Sequence, residues 1–280
     1  MPDITLISVV VLTYNSEKYI IETLDSIKNQ DYPYLEIIIS DDHSSDNTCK
    51  KVDEWLCENK SSFFNSLLIQ SHKNRGTCAN YNQGIVNSHG KYVKVIDGDD
   101  LLSTPESISD YYNFCVFKNC SICISDLNIF SDESVDLTKH EEYYSYFFEC
   151  VRESLPMQKK RIVRNLEIAD PGLFFSRSLF DKIGGFNENY KLLEEWPFFL
   201  DVIYKNSIKI EALDKKLVSY RINSSSISHS GKSFSQKLMT RDMLKFYFHE
   251  RLILLIKQLD FRVSISCFVN YLYRYIYQRV

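Results

Sequence analysis

Three carboxylates stand within four residues of the chain, Asp97, Asp99 and Asp100, at the end of the segment Lys91–Leu102 (KYVKVIDGDDLL). Side by side they repel one another and would be costly to bury unpaired. A hard divalent cation such as Mg²⁺ or Mn²⁺ relieves that cost, because it takes carboxylate oxygens as ligands and keeps positions for waters or substrate phosphates. Gly98, inside the cluster, lets other backbone approach where a side chain would block it. An acidic turn after a strand has the same composition, so the cluster gains meaning only from what lies upstream.

The elements that must position it read as an alternation of strands and helices. Leu6–Leu12 (LISVVVL) is a continuous β-branched run ended by Thr13-Tyr14-Asn15, and Ser16 then looks like an N-cap for a helix carrying Tyr19, Ile20, Leu24 and Ile27. A second strand, Leu35–Ser40, ends on Asp41-Asp42, and a helix starts near Asp46. A third, Ser66–Gln70, leads through Asn74-Arg75-Gly76 into a helix from about Cys78 to Asn87. The fourth ends at Asp97. This order predicts βαβ units and a parallel sheet with right-handed crossovers. In such a sheet the ligand crevice lies beyond the carboxyl ends of the strands. Each strand delivers polar groups there: Thr13, Tyr14 and Asn15; Asp41 and Asp42; Asn74 and Arg75; then the Asp97 cluster. No GxGxxG follows the first strand and no GxxxxGK[ST] loop exists, so phosphate would be met by metal and basic side chains.

The totals suit a soluble α/β protein. Over 280 residues, 44% apolar and 25% charged content are ordinary, and a net charge of −4 gives no support for a nucleic-acid partner. The first residues carry no basic leader, and no uncharged apolar run reaches the roughly 18 residues of a membrane span, which places the protein in the cytoplasm. Eight cysteines are scattered through the predicted elements, as reduced core thiols would be, and the lone pair Cys120/Cys123 lacks the two further ligands zinc needs.

Leu6–Ile27, Asp41–Thr48 (DDHSSDNT), Asn74–Gly84 (NRGTCANYNQG), Gly90–Asp100 (GKYVKVIDGDD) and Gly184–Glu188 (GGFNE) together resemble the family 2 glycosyltransferases of the GT-A fold. The resemblance runs from about Ile4 to Ser228. It implies a Rossmann-like, mostly parallel α/β sheet flanked by helices, with a GT-A domain over 1–230 (nucleotide-sugar half 1–103, acceptor half 104–230) and a C-terminal helical extension over 231–280. It also implies inverting, hexosyltransferase-type transfer from a nucleoside-diphosphate sugar, with UDP favoured, to a saccharide or lipid-linked saccharide acceptor. Under it Thr13, Tyr14 and Asn15 line the nucleotide pocket, and Asp42 or Asp41 accepts a hydrogen bond from the base. Arg75 contacts the base or diphosphate. Asp97 and Asp99 match the DxD motif that binds Mn²⁺ or Mg²⁺ against the diphosphate, and Asp100 assists directly or from behind. Arg221, with Ser224–Ser226, closes over the phosphates. Leu192–Phe199 (LLEEWPFF) stands where the family carries its acidic pair, so Glu195 is the expected general base and Glu194 the alternative. The same two residues also suit a first helical turn, where the dipole favours acids and Pro197 fits.

Two other classes remain compatible with the acidic cluster. A metal-dependent nucleotidyltransferase would carry a glycine-rich basic segment after the first strand, which LTYNSE does not supply; a non-catalytic sugar-nucleotide-binding protein would bind nucleotide without turnover. Between the motifs, Cys120–Phe130 reads as a strand and about 140–153 as a helix whose aromatics, Tyr143, Tyr144, Tyr146, Phe147 and Phe148, serve as helix core or stack on sugar rings. His229 reads as structural or solvated. Arg241–Val280 carries seven Lys or Arg against three acidic residues and reads as two helices broken near Asp260. Such a run suits peripheral contact with anionic lipid on the inner face of the cell membrane, a homodimer surface, or packing onto the catalytic domain. Enrichment in Asn, Ser, Ile and Lys suggests an AT-rich bacterial source and surface-polysaccharide synthesis (O-antigen, capsule or lipooligosaccharide).

Overall fold

The computed structural model describes residues 4–164, 171–223 and 234–257. Strands β1 (Ile7–Thr13), β2 (Leu35–Asp41), β3 (Asn65–Gln70) and β4 (Tyr92–Asp97) alternate with helices α1 (Ile20–Lys28), α2 (Thr48–Asn59) and α3 (Thr77–Val86). These four strands are parallel, with Val10 of β1 level with Ile38 of β2 on one side and Val95 of β4 on the other. The continuous β-branched runs exist because both sheet faces are covered, so neither alternate position meets water. Val10, Leu12 and Val95 enter one apolar cluster, whereas Ile7, Val9, Val11 and Ile96 enter the other with Ile20 and Leu24 of α1 and Trp55 of α2. Each such fully buried aliphatic side chain contributes roughly 1.5–3 kcal/mol.

Beyond β4 the sheet is mixed. β7 (Leu173–Ser176) runs antiparallel to β4 and to β6 (Ile122–Phe130), β8 (Glu211–Arg221) is parallel to β6, and the two-residue β5 (Leu101–Leu102) pairs antiparallel with β8. The order across the eight strands is β3-β2-β1-β4-β7-β6-β8-β5. The remaining helices are α4 (Ser107–Lys118), α5 (Thr138–Val151), α6 (Leu155–Arg164), α7 (Arg177–Ile183), α8 (Glu195–Phe199), α9 (Phe234–Phe246) and α10 (Leu252–Lys257).

Several details differ from the sequence expectation. Ser16 does not cap α1 with its side chain; its carbonyl accepts N–H bonds from Tyr19 and Ile20, and the helix begins at Ile20. The aromatics of α5 divide, with Phe147 and Phe148 in the core and Tyr143 and Tyr146 exposed. Of the C-terminal run, α9 and the π-helical turn after it bring Phe246 and Tyr247 into the main core. The break expected near Asp260, together with Ser224–Ser226 and His229, lies outside the described residues. The described cysteines are free, with Cys115 Sγ 3.5 Å from Cys123 Sγ and 3.6 Å from Cys120 Sγ.

At the end of the sheet away from the polar loops, Glu36 of β2 is fully buried and accepts hydrogen bonds from Ser8 Oγ (2.5 Å), the backbone N–H of His89 and the N–H of Gly90 (3.0 Å). Burial by itself would raise this carboxyl, but the bonds from Ser8, His89 and Gly90 outweigh it and hold it below its ordinary value. A depressed folded-state pKa means stability that is present above the unfolded value and lost as pH falls through the folded one. Glu36→Gln is therefore expected to cost about 2 kcal/mol near neutral pH. In thermal melts the gap to the unaltered protein should close as pH drops below about 4.5.

Candidate active site

The carboxyl ends of β1, β2 and β4 lie level in the sheet, which brings Thr13, Asp41 and Asp97 to one edge. Thr13 Oγ1 donates to Asp41 Oδ1 (2.8 Å), and Ser44 donates to the same carboxylate through its N–H (2.8 Å) and its hydroxyl (2.5 Å). Asn15 sits in the left-handed region (φ 54°), a conformation Asn tolerates, and its Oδ1 accepts from the Ser45 N–H at 2.8 Å. Asp41 and Asn15 thus lace the loops after β1 and β2 together. Tyr14 stands at their rim, 49% exposed.

Asp42, one residue beyond β2, accepts the N–H groups of Arg75 (2.7 Å) and Gly76 (2.8 Å) and so ties the loop before α3 to the same edge. Burial raises its carboxyl despite those two bonds. The Arg75 side chain turns to the surface and pairs with Glu188 at 2.9 Å. Glu188 in turn accepts from Asn82 of α3 (3.0 Å), and Asn82 Oδ1 accepts the Phe186 N–H (2.8 Å), which fastens the Gly184–Glu188 segment to α3.

The acidic loop after β4 is held from both sides. The Gly98 N–H donates to Leu12 O (2.8 Å), and a Cβ at Gly98 would lie 3.0 Å from both Ser16 Oγ and Thr13 Cγ2. A glycine lets the loop lie directly on the corner after β1. Its three carboxylates face different surroundings. Asp97 is exposed. Asp99 is half-buried, and its Oδ2 accepts from Asn223 Nδ2 at 3.0 Å. Asp100 is 1% exposed and turned inward, with Oδ1 accepting the Arg221 backbone N–H at 2.9 Å. Burial raises the Asp99 carboxyl; burial and then the charges of Asp99 and Asp97 push Asp100 well above the usual carboxylate range.

Arg221, which the resemblance implies closes over the phosphates, has its guanidinium packed against the acidic loop, 1% exposed. Nε donates to Asp99 O (2.8 Å), Nη2 to Glu22 Oε2 (2.7 Å) and Nη1 to Asp132 Oδ2. The group is sandwiched between the rings of Tyr19 (4.2 Å) and Phe130 (4.6 Å). Glu22, Asp132, Asn223 and the two rings were not singled out from the sequence. Tyr19 and Glu22 lie three residues apart, on one face of the start of α1, and Asn223 lies two residues beyond Arg221. Asp132 is distant in sequence and gives no such local signal.

Glu194 and Glu195 are half-buried at the start of α8. Glu194 lies close enough to Cys78 of α3 that its charge, after burial, helps push that thiol up. The acidic pair therefore stands on the α3 side of the sheet, while Arg221 and Asp100 lie toward β8. Among the described residues no ready cluster of three or more His, Cys, Asp or Glu ligands is present. Asp97 and Asp99 nonetheless supply hard oxygen donors from one loop, and the burial that disfavours the Asp99 charge is relieved by a bound divalent cation. The donor set fits Mg²⁺ or Mn²⁺.

Residues 8–184 match the model of glycosyl transferase family 2. The glycosyltransferase GlyA of Streptococcus pneumoniae is 26% identical over 226 residues, 79% of this chain but 31% of GlyA, so the chain spans about a third of that relative. A putative teichuronic acid biosynthesis glycosyltransferase of Bacillus subtilis, TuaG, is 23% identical over 95% of this chain and 94% of its own length. Staphylococcus aureus TarS in complex with UDP-GlcNAc superposes with a TM-score of 0.62 at 22% identity, covering 86% of this chain and 66% of that one. The mannosyltransferase PcManGT of Pyrobaculum calidifontis, in complex with GDP-Man and Mn²⁺, gives 0.63 at 17% identity, covering 90% and 64%. By family match and by architecture, the chain belongs to glycosyl transferase family 2 and has the GT-A fold.

Proposed function

We propose that the protein transfers a sugar from a nucleoside-diphosphate sugar, UDP-linked by preference, to an acceptor hydroxyl with inversion at the anomeric carbon, in the assembly of a bacterial surface polysaccharide at the cytoplasmic face of the membrane. The observation that carries this reading is the placement of the Asp97–Asp100 loop against the Thr13–Ser16 corner, where Gly98 bonds Leu12 O. A diphosphate approaching Asp97 and Asp99 would therefore have its nucleoside beside Thr13, Tyr14 and Asn15, with Asp42 behind them. Solved relatives of the same fold in complex with UDP-GlcNAc and with GDP-Man and Mn²⁺ support a nucleotide sugar and a divalent cation here. TuaG supports the polysaccharide setting. No helix among the described residues is long and apolar enough to cross a membrane.

The reaction faces a weak nucleophile and a leaving group that gathers negative charge. Asp97 and Asp99 would hold a divalent cation, which when bound would supply Lewis-acid stabilisation of negative charge on the leaving diphosphate. Asp100 and Arg221 hold the loop that presents those two carboxylates, and Asn223 orients Asp99. Glu195 receives the acceptor proton as general base, with Glu194 beside it as the alternative. Arg75, paired with Glu188, shapes the wall near the base rather than carrying charge onto the phosphates.

In a thermal-shift series, saturating UDP with Mn²⁺ should raise the melting temperature by a few degrees, about what binding at a hundred times Kd produces, and by more than GDP or dTDP. A flat response to all three would sink the reading. Asp99→Ala should abolish Mn²⁺-dependent turnover. Glu195→Gln should leave UDP affinity unchanged and lower transfer by about 10²–10⁴-fold; near-full rate in that variant would move the base to Glu194 or elsewhere. Arg221→Lys keeps the charge but not the planar fork, and with half-exposed partners is expected to lower stability by about 2 kcal/mol in denaturant melts.

A further inference from the structure

The loop that delivers the acidic pair, residues 186–194, has little regular structure of its own, yet its position decides where Glu194 and Glu195 point. One wall of it is α3. Lys191 O accepts the Cys78 N–H at 3.4 Å, and Gly76 (φ 94°) is packed so tightly that a Cβ there would fall 2.5 Å from Lys191 O. The opposite wall comes from α9. Asp242, 3% exposed, places a single carboxylate oxygen within 2.6 Å of the Lys191 N and 2.8 Å of the Leu192 N, so both amides donate to it. On either side of that point α9 makes further contacts. Lys245 Nζ donates to Asn189 O (3.0 Å), and the Phe246 ring packs edge-on to Tyr190 at 6.1 Å and to Trp196 at 5.9 Å. Trp196 directly follows Glu195.

Two neighbouring backbone amides in a loop that is buried at Leu192 and Leu193 need an acceptor, and neither an adjacent strand nor a helix supplies one. A carboxylate is a stronger acceptor than a carbonyl and fixes both peptide planes at once. Asp242 therefore sets the direction in which the chain enters α8, two residues before the acidic pair, and Phe246 sets the face of α8 from the other side.

We propose that Asp242 is a positioning residue for transfer: the C-terminal extension reaches back through its carboxylate to hold the loop that aims Glu194 and Glu195 at the acceptor. This rests on the acidic pair's carrying the base. It gives the extension a part in turnover that is independent of membrane or partner binding. The role predicts a split between catalysis and donor binding, because Asp242 touches none of the loops after β1, β2 and β4. Glu188, the partner of Arg75 at the pocket wall, is fastened to α3 by Asn82 rather than by Asp242.

The test uses the full chain with Asp242→Leu, Asp242→Ser (too short to reach both amides) and Asp242→Asn, which keeps an acceptor oxygen. Hydrogen exchange over residues 186–205, titration with UDP and Mn²⁺, and Mn²⁺-dependent nucleotide release from UDP-N-acetylglucosamine and GDP-mannose are the readouts. In the Leu and Ser variants the Lys191 and Leu192 amides should exchange at least about tenfold faster and kcat should fall at least about tenfold, while UDP affinity stays within about twofold. Asp242→Asn should stay within about threefold of the unaltered protein throughout. Unchanged exchange, faster exchange with unchanged kcat, a loss of UDP affinity equal to the loss of kcat, or an Asn variant as damaged as the Leu variant would each overturn the proposal. Should Asp242→Leu not fold, Asp242→Ser and Asp242→Asn decide by the same criteria. Full activity in both Glu195→Gln and Glu194→Gln would instead overturn the base assignment, and the exchange measurement, which uses no substrate, separates the two failures.

Discussion

The constraint on which the site depends is electrostatic: three carboxylates that repel one another must be kept within four residues. The chain meets it by dividing their environments. Asp97 stays in solvent, Asp99 is half-buried against Asn223, and Asp100 turns inward to the backbone N–H of Arg221. Arg221 then carries the only guanidinium among the described contacts of that loop, and its charge is balanced by Glu22 and Asp132 rather than by the loop's own carboxylates. Had the guanidinium paired with Asp97 or Asp99, the loop would be quieter alone but less able to take a cation. Its Nε bonds Asp99 through the backbone carbonyl rather than through the carboxylate.

Three strands converge on this arrangement for a reason visible in the pairing. β8 is the strand beside which β5 pairs immediately after the acidic loop, so Leu101 and Leu102 are locked to Ser219 and Val218 within a few residues of Arg221. The loop is consequently a short bridge between two fixed strands, β4 and β5, with little slack. A loop of that kind holds its side chains more exactly than a long one, because fewer backbone states compete with the native one.

Much of the first half was legible in the sequence because its signals are local. Continuous β-branched runs such as Ile7–Leu12 and Leu35–Ser40 announce strands covered on both faces, and the polar groups after each run announce the edge at which Thr13, Asp41 and Asp97 meet. The partners that decide the chemistry were not legible in the same way. Glu22, Asp132 and Arg221 are separated by 199 and 89 residues from one another across the ion network, and no periodicity connects them. Arg221 shows the consequence: the resemblance implies a place over the phosphates, and only the fold reveals its bonds to Asp99 O, Glu22 and Asp132. Ser16 shows a smaller version, a hydroxyl with the right neighbours for a cap whose N–H is engaged instead by Thr48 of α2.

The C-terminal run illustrates how composition leaves alternatives open that tertiary context decides. A basic, aromatic helix has the same sequence signature whether it lies on lipid or on protein, because both surfaces accept an apolar face and leave long cationic side chains at the rim. Here the described part has its apolar residues Phe246 and Tyr247 in the main core, and two of its cations donate to carbonyls of the domain: Lys245 Nζ to Asn189 O and Arg251 Nε to Val163 O, 2.7 Å away. An Arg buried to 3% with its donor on a backbone carbonyl is not a surface charge waiting for lipid. The acidic residue of the same helix, Asp242, is the more informative one. A carboxylate taken out of water on a helix face otherwise given to packing carries a desolvation cost that the two amides of Lys191 and Leu192 must offset, and those amides belong to the loop that ends at Glu194. The energetics of the extension and the aim of the acidic pair are therefore one problem, solved by the same two hydrogen bonds.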